Sequence, residues 1–161
     1  MKNYKIEIKW ALIFTTTMLT WMVLERWAGL HDVNIDKHPI VTNFIMIPAI
    51  LIYVFALLDK KKNFYSGTMN YMQAVISGLV ITLGVTMLSP FTQYITSTLI
   101  TPDYFKNVIK YSLEHKLMSQ ENAESYFNLK SYMIQATVGS AVMGAVTSLI
   151  VAFFTKSKTP N

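Results

Sequence analysis

Over most of this chain the apolar residues do not alternate with polar ones at either a strand or a helix period. They gather instead in long blocks that contain no charge. The first lies between Lys9 and Glu25 and extends over residues 10–30 if Glu25 and Arg26 are tolerated near its end. The second, residues 40–58, follows His38 and Pro39 and stops at Asp59 and Lys60, Lys61 and Lys62. The third, residues 71–100, contains Pro90, and the fourth, residues 131–154, ends against Lys156 and Lys158. A helix needs roughly 20 predominantly apolar residues to cross the hydrocarbon core of a bilayer. The four blocks therefore predict an all-α polytopic membrane protein, a single membrane domain with four transmembrane helices. At about 1.5 Å rise per residue the third is longer than the core is thick, so it must tilt, kink or protrude.

The pattern changes only in residues 102–130. Thr101 reads as an N-cap, Pro102 as the first helical residue and Asp103 as a first-turn acid. Tyr104, Phe105, Val108, Ile109, Ser112, Leu113 and Leu117 then follow the three-to-four spacing of one helix face, which predicts an amphipathic helix on the outer membrane surface. A second start stands at Ser119, and nothing after it breaks a helix, so a continuous helix is predicted from about residue 120 into the fourth span. Tyr126, Phe127 and Tyr132 fall where aromatic rings favour the interface.

Composition supports the bilayer as the solvent: 52% of residues are hydrophobic and only 14% charged, against about 25% in soluble domains. The net charge of +5 comes from short clusters at block ends, which argues against nucleic acid as a partner. The absence of cysteine excludes disulfides and thiolate chemistry. Glu25, Arg26 and Trp27 stand where a signal peptide would carry a small-x-small cleavage site, so the first span is read as an uncleaved anchor. Placing both termini in the cytoplasm puts Lys2, Lys5, Lys9, Lys60, Lys61, Lys62, Lys156 and Lys158 inside, against Arg26, Lys37, Lys106, Lys110, Lys116 and Lys130 outside. Lys60–Lys62 beside Phe64 and Tyr65 read as an interfacial anchor. The two halves of the chain do not resemble each other, which counts against an inverted-repeat transporter.

Sorted by depth, the polar residues of the spans fall in the outer half. Glu25, Arg26, Asn43, Gln93, Tyr94 and Gln135 form a candidate outward-facing polar pocket, with Glu25 expected to face inward onto Arg26 or one of the others because a lipid-facing carboxylate is costly. His31, Asp32, Asp36 and His38 share a short loop, but their spacing matches no metal motif, so neither a metal nor a cofactor is assigned; His115 reads as a surface residue. Pro48 and Pro90 are expected to kink their helices by pressing on Phe44 and Thr86. Ala136, Ser140, Gly144 and Ser148 put small residues on one line of the fourth span, a helix-packing face. Its partner is either the third span, through Ala74, Ser77, Gly78 and Gly84, or a second copy of the chain. No phosphate loop, His-Glu-x-x-His or Gly-x-Ser-x-Gly is present, so no enzyme is expected.

The opening Lys-Asn-Tyr-Lys-Ile-Glu-Ile-Lys-Trp, the run Trp-Met-Val-Leu-Glu-Arg ending at Arg26 with Gly29-Leu30-His31, Leu88-Ser-Pro-Phe-Thr-Gln-Tyr94, Ile100-Thr-Pro-Asp-Tyr-Phe105 and Glu124-Ser-Tyr-Phe-Asn-Leu-Lys-Ser-Tyr132 resemble the bacterial membrane proteins grouped as domain of unknown function 4199. The resemblance covers essentially the whole chain. It implies an inner-membrane protein of Bacteroidota and carries no catalytic residue with it. The expected function is a non-enzymatic subunit of a homo-oligomer or larger envelope complex in the lipid bilayer. The alternative is a small-solute or ion transporter or channel.

Overall fold

The computed structural model describes residues 4–157, so Lys2 and Lys158 lie outside the described residues. The chain forms α1 (Lys5–Trp27), α2 (His38–Val41), a 3-10 turn (Thr42–Ile45), α3 (Met46–Asn63), α4 (Tyr71–Ile95), a π-helical turn (Thr96–Ile100), α5 (Tyr104–Glu114), α6 (Gln120–Tyr126) and α7 (Leu129–Thr155). The described residues include no strand. Lys5–Trp27, His38–Asn63, Tyr71–Ile100 and Leu129–Thr155 are long and apolar enough to cross a membrane. The protein is thus an all-α integral membrane protein.

α4 is the central helix, packing most extensively on α7 and then on α1. Small residues let these backbones approach. A Cβ on Gly78 would lie 2.7 Å from Ser148, one on Gly84 2.9 Å from Ala11, and one on Gly144 2.6 Å from Thr82 and 2.9 Å from the Tyr53 hydroxyl. The hydroxyls of Ser140 and Thr86 are 3.3 Å apart, as are those of Ser148 and Thr82. Ser140, Gly144 and Ser148 therefore pack on the third span of their own chain. Ala136, one turn further along the line, borders a chamber instead.

At one end of the bundle, here the terminal face, the start of α1, the end of α3 and the start of α4 meet around a buried ion pair. Lys60 Nζ lies 2.8 Å from Glu7 Oε1, and Ser77 donates to the same oxygen at 2.9 Å. Beside it Asp59 accepts from Lys9 and from the Trp10 indole. Asn70 and Gln73 form a reciprocal capping box that starts α4. The Ser157 amide donates to the Met69 carbonyl at 2.7 Å, tying the end of the chain to this loop. The opposite end, the loop face, carries the 28–37 loop, α5 and α6.

Several boundaries differ from those the sequence predicts. Thr101 does not cap α5. Its amide and hydroxyl both donate to the Thr96 carbonyl, closing the π turn, and α5 starts three residues later at Tyr104. The helix beginning after Ser119 does not run on into the fourth span. Asn128 ends it by donating to the Ser125 and Glu124 carbonyls, and starts α7 by accepting from the Ser131 amide at 2.9 Å. Pro48 has no amide for the Phe44 carbonyl, and the chain there takes the tighter 3-10 form over Thr42–Ile45. α4 continues through Pro90, and the Thr86 carbonyl left without its amide accepts the Ser89 hydroxyl at 2.9 Å.

Candidate functional site

α1 ends in a Schellman motif. The Leu30 amide donates to the Glu25 carbonyl and the Gly29 amide to the Arg26 carbonyl, both at 3.0 Å, with Gly29 at φ +72°. A side chain at Gly29 would be strained, and its Cβ would lie 2.7 Å from Val33. This reversal brings the following loop back over the last turn of α1. His31 then reaches Glu25, with Nε2 3.1 Å from Oε2. His38, at the start of α2, brings its Nε2 to 3.4 Å from the same oxygen. The other oxygen, Oε1, accepts from the Trp21 indole one turn earlier on α1, at 2.6 Å.

Glu25 is 2% exposed and His31 7%, so the carboxylate is a buried group held by three nitrogens. α5 covers the cluster. Asn107 donates to the His31 carbonyl at 3.0 Å, and Tyr104 lies with its hydroxyl 3.5 Å from His38 Nδ1 and 3.5 Å from the Tyr132 hydroxyl. Burial, and more weakly the nearby Glu25 charge, pushes the Tyr104 hydroxyl above its usual range, so it is protonated and available as a donor at neutral pH. Next to the cluster, a groove of about 610 Å³ runs between the loop and α5, bordered by Asp32, Asp36, Asn107 and Glu114.

The structure thus turns Glu25 inward but gives it other partners than those anticipated from depth. Arg26 points its guanidinium at the Ile100 carbonyl. Asn43 donates to the Pro39 carbonyl, Gln93 to Ser97 and Gln135 to Ser131, each one turn away on the same segment. Tyr94 is 53% exposed. These five residues do not assemble around Glu25: Asn43, Gln93 and Gln135 are satisfied within their own segments, and Arg26 by the carbonyl of Ile100 on another. Trp21, His31, His38, Tyr104 and Asn107 take that place, and the signal that could have found them is the glycine just beyond the end of α1.

A second feature lies within the spans: a half-open chamber of about 440 Å³ between α1, α3, α4 and α7. Phe14, Met18, Met22, Met46, Ala49, Ile50, Val85 and Met143 make it predominantly apolar, and among the described residues no charged side chain lines it. Its hydroxyls are largely turned to their own backbones, Ser89 to Thr86, Thr92 to Leu88 and Ser140 to Thr137. Tyr53, bonded to Thr82 at 2.8 Å, and Gly144 border it on the side of the tight seam. Met22 and Glu25 are three residues apart on α1 and so share a helix side.

A family model described as a protein of unknown function, DUF4199, matches residues 9–157. The chain belongs to this family. No curated protein and no solved structure matches it. For a DUF4199 chain, the Glu25 cluster and the chamber therefore have to be interpreted from their own chemistry. The matched residues include every side chain named in both.

Proposed function

We propose that this DUF4199 protein is a non-enzymatic protein of the bacterial inner membrane, with both termini cytoplasmic, that holds a lipid-like ligand between its spans. The observation that carries this reading is the chamber. Its volume of about 440 Å³ falls within the roughly 300–1,000 Å³ typical of ligand pockets. Met18, Met22, Met46 and Met143 give it walls that adapt to an irregular hydrocarbon. Ion pathways are lined by charged rings or free carbonyls, whereas here Ser89, Thr92 and Ser140 are bonded to their own helices. This chemistry turns the transporter alternative away from ions and polar solutes towards apolar molecules.

Gly139 borders the chamber, and a Cβ there meets nothing within 4 Å. Gly139→Trp should therefore fill the space without disturbing the fold. Native mass spectrometry of the wild type in mild detergent should show a bound lipid-like mass, and the variant should lose most of it while keeping its helicity. Equal retention by a folded variant, or no bound mass in the wild type, would count against the chamber as a binding site.

A second reading keeps the chain as a subunit of a homo-oligomer or larger envelope complex. It is favoured by apolar side chains exposed around the loop face: Trp27 at 79%, Val33 at 85% and Leu117 at 62%. The small-residue line of α7 is not available for it, being packed on α4. The orientation is testable with cysteines at two exposed positions, Thr68→Cys near the terminal face and Ser125→Cys on α6. With an impermeant thiol reagent on spheroplasts, only the cysteine at position 125 should label; labelling at 68 alone inverts the topology.

A further inference from the structure

We propose that Glu25, His31 and His38 bind a divalent transition-metal cation, with Zn²⁺ the best match to the donor set. This inference is independent of the chamber. The three ligand atoms lie within 4.8 Å of one another, and the two edges at Glu25 Oε2 measure 3.1 and 3.4 Å. Tetrahedral zinc with bonds of about 2.0–2.1 Å puts neighbouring ligand atoms about 3.3 Å apart. His38 closes the wider edge most readily: it is the least buried of the three and stands at the start of a four-residue helix.

Charge points the same way. Among the described residues two carboxylates are buried to 2% exposure, Glu7 and Glu25. Glu7 is matched by the full positive charge of Lys60. Glu25 faces the indole of Trp21 and two imidazoles, while Arg26 is directed to the Ile100 carbonyl. A dication held by the carboxylate and the two imidazoles sets a positive charge against Glu25, as Lys60 does against Glu7. Two histidines and one carboxylate with no thiolate are a known set for zinc and for non-haem iron.

The surroundings are those of ligands held for a metal. Trp21 fixes Glu25 Oε1 and leaves Oε2 turned to the histidines. The Tyr104 hydroxyl oxygen lies 3.5 Å from His38 Nδ1, and accepting that nitrogen's proton leaves the Nε2 lone pair facing Glu25. His31 Nδ1 is buried without a hydrogen-bond partner, so within the protein this ring is held through Nε2 alone. Asp32 and Asp36 border the adjoining groove together with the Lys110–Glu114 pair.

The test is a Zn²⁺ titration of the full chain in detergent, stripped with chelator and read by competition with a chromophoric chelator. One Zn²⁺ per chain should bind. His38→Gln should weaken it by at least about 100-fold, and Trp21→Phe, which leaves all three ligands in place, by about 10–100-fold. His115→Gln should leave binding unchanged, since that ring stacks on Tyr111, outside the cluster. The zinc-edge X-ray absorption of the wild type, which depends on no variant folding, should show two imidazoles and oxygen. Absence of stoichiometric zinc, binding indifferent to His38→Gln, or a spectrum without imidazole scattering overturns the proposal and leaves Glu25 a structural anchor.

Discussion

Lys60→Met should destabilise the bundle by about 3–5 kcal/mol, the usual result of removing one partner from a buried ion pair. The Lys60 ammonium is 2.8 and 3.1 Å from the two oxygens of Glu7, and the two residues are 3% and 2% exposed. Without it, the Glu7 carboxylate keeps the Ser77 hydroxyl but loses the ammonium 2.8 Å away. The pair also joins α1 to α3 across the terminal face, so its loss frees two spans at once. Replacing both residues, as Glu7→Leu with Lys60→Met, should recover much of the loss, because it removes the stranded charge along with its partner. Unfolding in a denaturing detergent titration, followed by helical circular dichroism, measures both. A single variant as stable as the wild type would show that water reaches Glu7.

Gly144→Leu should be the most damaging change on α7. Its first added carbon already meets Thr82 at 2.6 Å and the Tyr53 hydroxyl at 2.9 Å. Neither neighbour yields freely, since the two are hydrogen-bonded to each other at 2.8 Å and Thr82 is also bonded to the Gly78 carbonyl. Overpacking of this kind costs about 1–3 kcal/mol, and a backbone seam belongs at the upper end. Val142→Leu, at a position 56% exposed, should change stability by less than about 0.5 kcal/mol. The same unfolding titration compares them; equal effects would mean that α4 and α7 are not in register at Gly144.

Those two sites also show what was legible in the sequence. The four spans were, because blocks of uncharged residues report burial in lipid regardless of tertiary detail. The line Ser140, Gly144 and Ser148 was visible as a packing face, but its partner was not, since small residues say that a backbone comes close without saying whose. The break at Asn128 went unread because asparagine is no helix breaker; it acts here by capping two helices at once. Thr101 and Pro102 gave a convincing helix start, overridden when Thr101 closed the π turn.

The Glu25 site was half legible. Its cost in the membrane forced an inward orientation, and depth was then used to choose its partners. Depth is a poor guide once a chain reverses: Gly29 folds a polar loop back onto α1, so the carboxylate meets residues 6 and 13 positions later in sequence. The chamber was not legible at all. It exists because α3 packs closely on its neighbours around Tyr53, Ala56, Leu57 and Lys60, all buried, whereas Ile45, Met46, Ala49 and Ile50 border open space, and no single residue type marks that divergence.

The measurement that tests the central claim most directly is an electron cryomicroscopy map of the full chain in nanodiscs made from its native lipids, with a rigid binder on the loop face to aid alignment. The account predicts elongated non-protein density among Met18, Met22, Met46, Gly139 and Met143. A chamber closed by α3 resting on α7 along its whole length, or filled by a helix of another subunit, would contradict it.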